Sequence, residues 1–291
     1  MALLATVGPP AWRLLAAAGL VLGVSALSGC AAGAAGHVIL LRDLPARPTL
    51  SAEWVQSDRA AAAVAMAVME QELALPRLDV TLHFFPTRQA FQDALGTVGY
   101  DPAFAAETAG RMTAIGGFRR VLINSEALSR ADGVARAALF AHELTHSLQY
   151  ELGGGRRGAS PQWIREGFAD WVSARVLAAL DVQRLEAYRD QRLDEFRDGR
   201  PGPPPLGAMT TFPEWVALAG RPDGRAIAAK AFLAVDFLIA RAGMARVLEY
   251  FAVFARSNNA ERAFLRVFGE PLGAFEAAFD GRFTRRADAA R

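Results

Sequence analysis

His142-Glu143-Leu144-Thr145-His146 restricts the fold of this 291-residue chain more than any other stretch. On an α-helix, residues i and i+4 project from one face. His142 and His146 can therefore hold one metal ion while Glu143 reaches the adjacent edge of that face. The flanking sequence predicts such a helix over Ala131–Leu152. Val134, Ala137, Phe140, Leu144 and Leu148 form an apolar stripe near the 3.6-residue period, and Gly153-Gly154-Gly155 stops it.

Two imidazoles make half a site, because a catalytic zinc normally has three protein ligands and one position left for water. The third comes from Trp163-Ile164-Arg165-Glu166-Gly167-Phe168-Ala169-Asp170, on a second helix predicted from Gln162 to about Leu180. Glu166 is the candidate ligand. Asp170, four residues on and on the same face, is the candidate acceptor for the ring N–H of a ligand histidine, which would fix its tautomer and raise its basicity. Gly167 removes a side chain where two helices must approach closely around the metal.

Together the two motifs resemble the gluzincin clan of metallopeptidases, particularly the bacterial peptidase MA-like families. Val80 to Phe91 looks like that family's strand-then-helix lead-in, and Ala229 to Phe283 like its C-terminal helical part. The resemblance implies an α+β fold: a zincin-like core with a small sheet beside the H-E-x-x-H helix, and a C-terminal helical subdomain closing the cleft. The expected chemistry is hydrolysis of peptides or proteins with one Zn2+ held by His142, His146 and Glu166. Glu143 is the base that takes a proton from the zinc-bound water.

The sequence departs from that family in two places. Every histidine lies at or before His146, so the downstream histidine that stabilises the oxyanion in thermolysin-like relatives is missing. Tyr150, Tyr188 and Tyr250 are candidate replacements that read as ordinary packing, and Lys230 reads as a solvated lysine on a helix face. Ala114-Ile115-Gly116-Gly117 lacks the acid with which aminopeptidase relatives hold a substrate's amino terminus, so an endopeptidase is the expectation. Residues near Gly116 are a candidate edge strand for pairing with substrate backbone. The alternative is a catalytically inactive lipoprotein of zincin fold that serves as an interaction scaffold in envelope assembly.

At the amino terminus, Arg13, the apolar run Leu14–Ala26 and Leu27-Ser28-Gly29-Cys30 resemble the signal and lipobox of bacterial lipoproteins. The resemblance implies removal of residues 1–29 and a lipid anchor on Cys30, with acyl chains contributing about 0.8 kcal/mol per buried methylene. Cys30 is the only cysteine, so no internal disulfide can form. A membrane partner and a place in the bacterial cell envelope follow. Ala31 after the cysteine, where Asp would retain the protein at the inner membrane, points to the periplasmic face of the outer membrane. Lys and Arg total 32 against 30 acidic residues, with no stripe of one sign, which argues against a nucleic-acid partner.

The expected organisation is a tether over 30–50 with a short strand at Val38–Leu41, a zincin-like catalytic domain over 51–200 and the helical subdomain over 201–291. Pro201-Gly202-Pro203-Pro204-Pro205 marks the last boundary. A helix is predicted from an N-cap at Ser51 to about Leu75, then a strand over Leu78–Phe84 and a short helix at Arg88–Leu95. Further on come a strand at Arg120–Asn124, a charged helix at Asp181–Arg197 and five helical segments between Pro213 and Phe283. Residues 96–110 have no period, their Asp101-Pro102 reading as a turn. His37, in the tether, and His83, on the polar face of its strand, read as solvated.

Overall fold

A computed structural model describes residues 36–288 of the chain. The signal segment and Cys30 lie outside the described residues. β1 (Val38–Leu40) pairs antiparallel with β2 (Thr81–Phe85), β3 (Ala114–Gly117) pairs antiparallel with β4 (Arg120–Asn124), and β2 and β4 run parallel at the centre. The order is β1-β2-β4-β3, so β3 is an edge. Leu82 and Phe84 are buried on β2 between half-buried Thr81, His83 and Phe85, the alternation that one covered face demands. β1 is the short strand expected within the tether, and it joins the sheet, with Ile39, Leu41 and Leu44 buried there.

The first helix, α1 (Asp58–Ala67), starts later than expected. Ser57, not Ser51, is its N-cap, accepting from the Ala60 N–H, while Ala52–Trp54 forms a 3-10 turn. Between the two, buried Val55 packs its carbonyl against Gly133, where a Cβ would overlap it. After β2 come α2 (Arg88–Thr97) and α3 (Pro102–Arg111). Asp101 caps α3 by accepting from Ala103 and Phe104 N–H, and Pro102 sits at a first-turn position that needs no donor. Asp-Pro thus opens a helix in the stretch without a period.

Beyond β4, α4 (Ser125–Leu128) leads to α5 (Gly133–Leu152), α6 (Gln162–Ala179) and α7 (Leu185–Asp198). The C-terminal part holds α8 (Phe212–Ala219), α9 (Gly224–Ala242), α10 (Met244–Val253), α11 (Ala260–Phe268) and α12 (Leu272–Asp288). α5 packs against β3, α1 and α6, and α6 packs in turn against α9. Gly167 permits that second packing: a Cβ there would overlap the Ala231 carbonyl and approach Val235 Cγ2 to 2.8 Å. The close approach expected around the metal is therefore one between α6 and α9, on the far side of α6 from α5. Buried apolar residues from Ile39 to Phe279 form one continuous cluster, which makes this a mixed α+β fold with the sheet on one side of α5. No helix among the described residues is long and apolar enough to cross a membrane.

Candidate metal centre

α5 and α6 face each other with His142 and His146 on one and Glu166 on the other. His142 Nε2 lies 3.4 Å from Glu166 Oε2, and His146 Nε2 lies 3.6 Å from Glu166 Oε1. Ligand atoms of all three fall within 4.8 Å of one another. Both Nε2 atoms and Glu166 Oε2 are buried without a hydrogen-bond partner. Unpaired buried polar atoms cost about 1–3 kcal/mol each, and a cation between them removes that cost. Two ligands at about 2.0–2.1 Å from a tetrahedral metal stand about 3.4 Å apart, close to both measured separations. The residues fit a metal ion: this is a buried group able to hold one.

Set against protein-family models, curated proteins and solved structures, the chain matches none. The chemistry of the centre therefore has to be read from its own geometry.

Two glutamines that sequence reasoning missed brace the ligands. Gln149 Nε2 donates to the Arg165 carbonyl at 2.9 Å, which turns Gln149 Oε1 towards His146 Nδ1 at 3.1 Å. His146 Nδ1 must then carry the proton, and its Nε2 lone pair is left facing Glu166. Burial, with His142 and Arg165 nearby, holds the His146 pKa well below the usual imidazole range, so the ring is neutral as a ligand should be. His142 moves the other way. Burial opposes its protonation, but Glu166, Glu143 and Asp170 outweigh it and raise the pKa, a proton that a bound cation would displace. Gln162 Nε2 donates to Glu166 Oε1 at 2.5 Å. Spacing could have found both, since Gln149 is three residues after His146 and Gln162 four before Glu166.

Asp170 does not accept from a ligand histidine. Its oxygens take hydrogen bonds from Tyr188 Oη at 3.1 Å and Arg192 Nη2 at 2.6 Å, while His142 Nδ1 is buried without a partner. α7 brings a fully buried guanidinium to this carboxylate, and Asp170 acts on His142 only through its charge.

Glu143 is 1 % exposed, and its Oε2 accepts from the Gly116 N–H at 2.6 Å. Burial pushes its pKa up to about 7, with Glu166 adding to the rise, and His142 and the Gly116 N–H opposing it. A Cβ on Gly116 would overlap the Glu143 carbonyl and come within 2.9 Å of His146 Cβ, so only glycine lets β3 lie this close to α5.

The residues considered for oxyanion stabilisation are engaged elsewhere. Lys230 is buried, not solvated: Nζ donates to the Pro204 carbonyl and pairs with Asp280, each at 2.6 Å. Tyr188 belongs to the Asp170–Arg192 network, and Tyr250 is packed among Phe251, Phe254, Phe264 and Phe268. Tyr150 lies beneath the Arg165 guanidinium, 5.4 Å from its ring centroid. His37 stacks on Phe84 at 4.1 Å, and His83 is half-buried.

Proposed function

We propose that this protein is a zinc-dependent endopeptidase held at the bacterial envelope by lipid on Cys30. The observation that carries the reading is the buried Glu143 carboxylate, set beside the His142-His146-Glu166 group and hydrogen-bonded to an edge strand. A divalent ion at that group supplies a Lewis acid for the carbonyl and lowers the pKa of water to about 7.

Glu143 takes a proton from water as the water oxygen adds to the carbonyl carbon and the C=O pair moves onto oxygen. The C–N bond then breaks with its electron pair on nitrogen and Glu143 returns the proton there, leaving a carboxylic acid and an amine, and the acid's proton passes to the amine to give carboxylate and ammonium. The Gly116 N–H is turned away from β4 and is taken by Glu143, so an extended substrate pairing along this edge of the sheet would use the backbone groups of β3 that Glu143 does not occupy. Backbone pairing gives affinity with little dependence on side chains, consistent with cleavage inside a chain.

The second reading, a scaffold without activity, is favoured by the engagement of Lys230, Tyr150, Tyr188 and Tyr250 away from the ligands. Metal analysis of protein purified without chelators, followed by a peptide-library digest, separates the two. The peptidase reading expects near-stoichiometric zinc that is lost in His146→Ala and Glu166→Ala, and cleavage that is lost in Glu143→Gln with zinc retained. Zinc without cleavage by the unmodified protein favours the scaffold, and absence of metal overturns the zinc reading. For the anchor, membrane attachment unchanged in Cys30→Ala would exclude lipid at that position as its cause.

A further inference from the structure

The peptidase reading leaves the oxyanion without an assigned donor from the chain. As Glu143 takes the water proton, its negative charge passes to the carbonyl oxygen, at a new point in the buried cleft. Preorganised cations or N–H donors at that point are a large part of rate enhancement in such sites.

Two arginines flank Glu166. Arg165 is sealed: it is 2 % exposed, donates from Nη1 to the Arg157 carbonyl at 2.9 Å and lies over Tyr150, and burial with Arg157 nearby lowers its pKa to about 10. Arg157 differs. Its Nη2 donates to Gln162 Oε1, and Gln162 donates to Glu166 Oε1, so one amide separates this guanidinium from the third ligand. Its Nε is buried without a hydrogen-bond partner, yet the side chain as a whole is only half-buried. The backbone beneath it is fixed from two sides. Arg165 holds its carbonyl, and Gly158 next to it adopts a left-handed φ of +70° against Phe254, where a Cβ would sit 2.5 Å from the ring. The Arg157 guanidinium feels the charge of Glu166, and its own charge acts on His146 and on Tyr100, which in turn feels Glu143.

We propose that Arg157 is the residue that receives the oxyanion of the scissile carbonyl, an assignment that rests on the peptidase reading above. Its position in the loop between α5 and α6, and not in the C-terminal part, accounts for the missing downstream histidine. The guanidinium is held by Gln162 on one N–H and has others to offer, and it stays charged at any working pH.

The test uses the protein loaded with cobalt(II), whose visible bands report ligands on the metal without any substrate. Inorganic phosphate serves as the tetrahedral anion and imidazole as the neutral ligand of the same ion. Arg157→Met is expected to weaken phosphate by about 10–100-fold, the worth of one charge-assisted hydrogen bond, with cobalt and imidazole affinities kept. Should Arg157→Met fail to fold, Arg157→Gln, which retains a donor for Gln162, carries the same expectation. Phosphate affinity indifferent to Arg157, or lost in equal measure with imidazole, overturns the assignment and leaves the peptidase reading standing. An unmodified protein that takes up no cobalt overturns both.

Discussion

Gln149 Oε1 lies 3.1 Å from His146 Nδ1, and the same amide donates to the backbone of the helix that carries Glu166. One side chain thus sets the ring orientation of a ligand and ties α5 to α6 at the centre. Such supporting partners typically contribute 10–100-fold to metal affinity, so Gln149→Leu is expected to raise the dissociation constant for zinc by about that factor. Competition against a chromophoric chelator measures it, and an affinity within about twofold of the unmodified protein would mean that Gln149 only packs.

Metal should also stabilise the fold, because the three ligands are gathered in the folded state alone. A free-metal concentration a thousandfold above the dissociation constant adds about 4 kcal/mol. For a chain of this size that corresponds to roughly 8–16 °C in Tm. Chelation is expected to lower the Tm by this amount in the unmodified protein and to leave Glu166→Gln nearly unmoved. Equal shifts in both would point to metal bound somewhere else.

The His142-His146-Glu166 group, which could hold a metal ion, was legible in the sequence because its geometry is local: four-residue spacing on a helix forces His142 and His146 together, and does the same for the Glu166 face. β4 was legible too, with its bounds, as a short apolar run before a capping Asn124. What escaped depends on partners distant in the chain. Nothing near Asp170 announces that Arg192, twenty-two residues later, will take its oxygen. Ser51 and Ser57 both look like helix caps, and only Ser57 accepts a backbone N–H, that of Ala60, while Val55 between them packs against the distant Gly133. Lys230 read as solvated because its counter-charge, Asp280, sits fifty residues away on α12.

Two glycines should respond in opposite directions to alanine. Gly96 lies inside α2 with open space where a Cβ would be, so Gly96→Ala is expected to add about 0.5–1 kcal/mol through the backbone alone. Gly116→Ala forces β3 off the Glu143 carbonyl and is expected to cost about 1–3 kcal/mol, along with the hydrogen bond that positions Glu143. Urea denaturation of the two variants checks this. A neutral Gly116→Ala would show that β3 can move away from α5 at no cost.

Stability should fall in mild acid through His83. Burial, then the charge of Arg120, depresses its pKa below 6.5 in the folded state. Between 6.5 and that lower value the unfolded chain binds the proton and the folded chain does not, so stability rises with pH across the window and is lost as pH falls through it. His83→Gln removes this contribution. The difference in unfolding free energy between pH 7.5 and 5.5, two values chosen about one unit either side of 6.5, should be smaller in the variant than in the unmodified protein. An unchanged difference would assign the acid sensitivity elsewhere.

Arg192 is 1 % exposed and donates to Asp170, Tyr188 and Glu195, so it neutralises the carboxylate nearest to the back of His142. Removing one member of a buried pair strands the other's charge, at a cost of about 3–5 kcal/mol. Arg192→Met is expected to lose that much in chemical denaturation. Adding Asp170→Asn to Arg192→Met takes away the stranded charge while Tyr188 can still donate to the amide oxygen, so the double variant should be more stable than Arg192→Met alone. Additive losses would mean that the two residues are not coupled, and that Asp170 is held by Tyr188 rather than by the guanidinium.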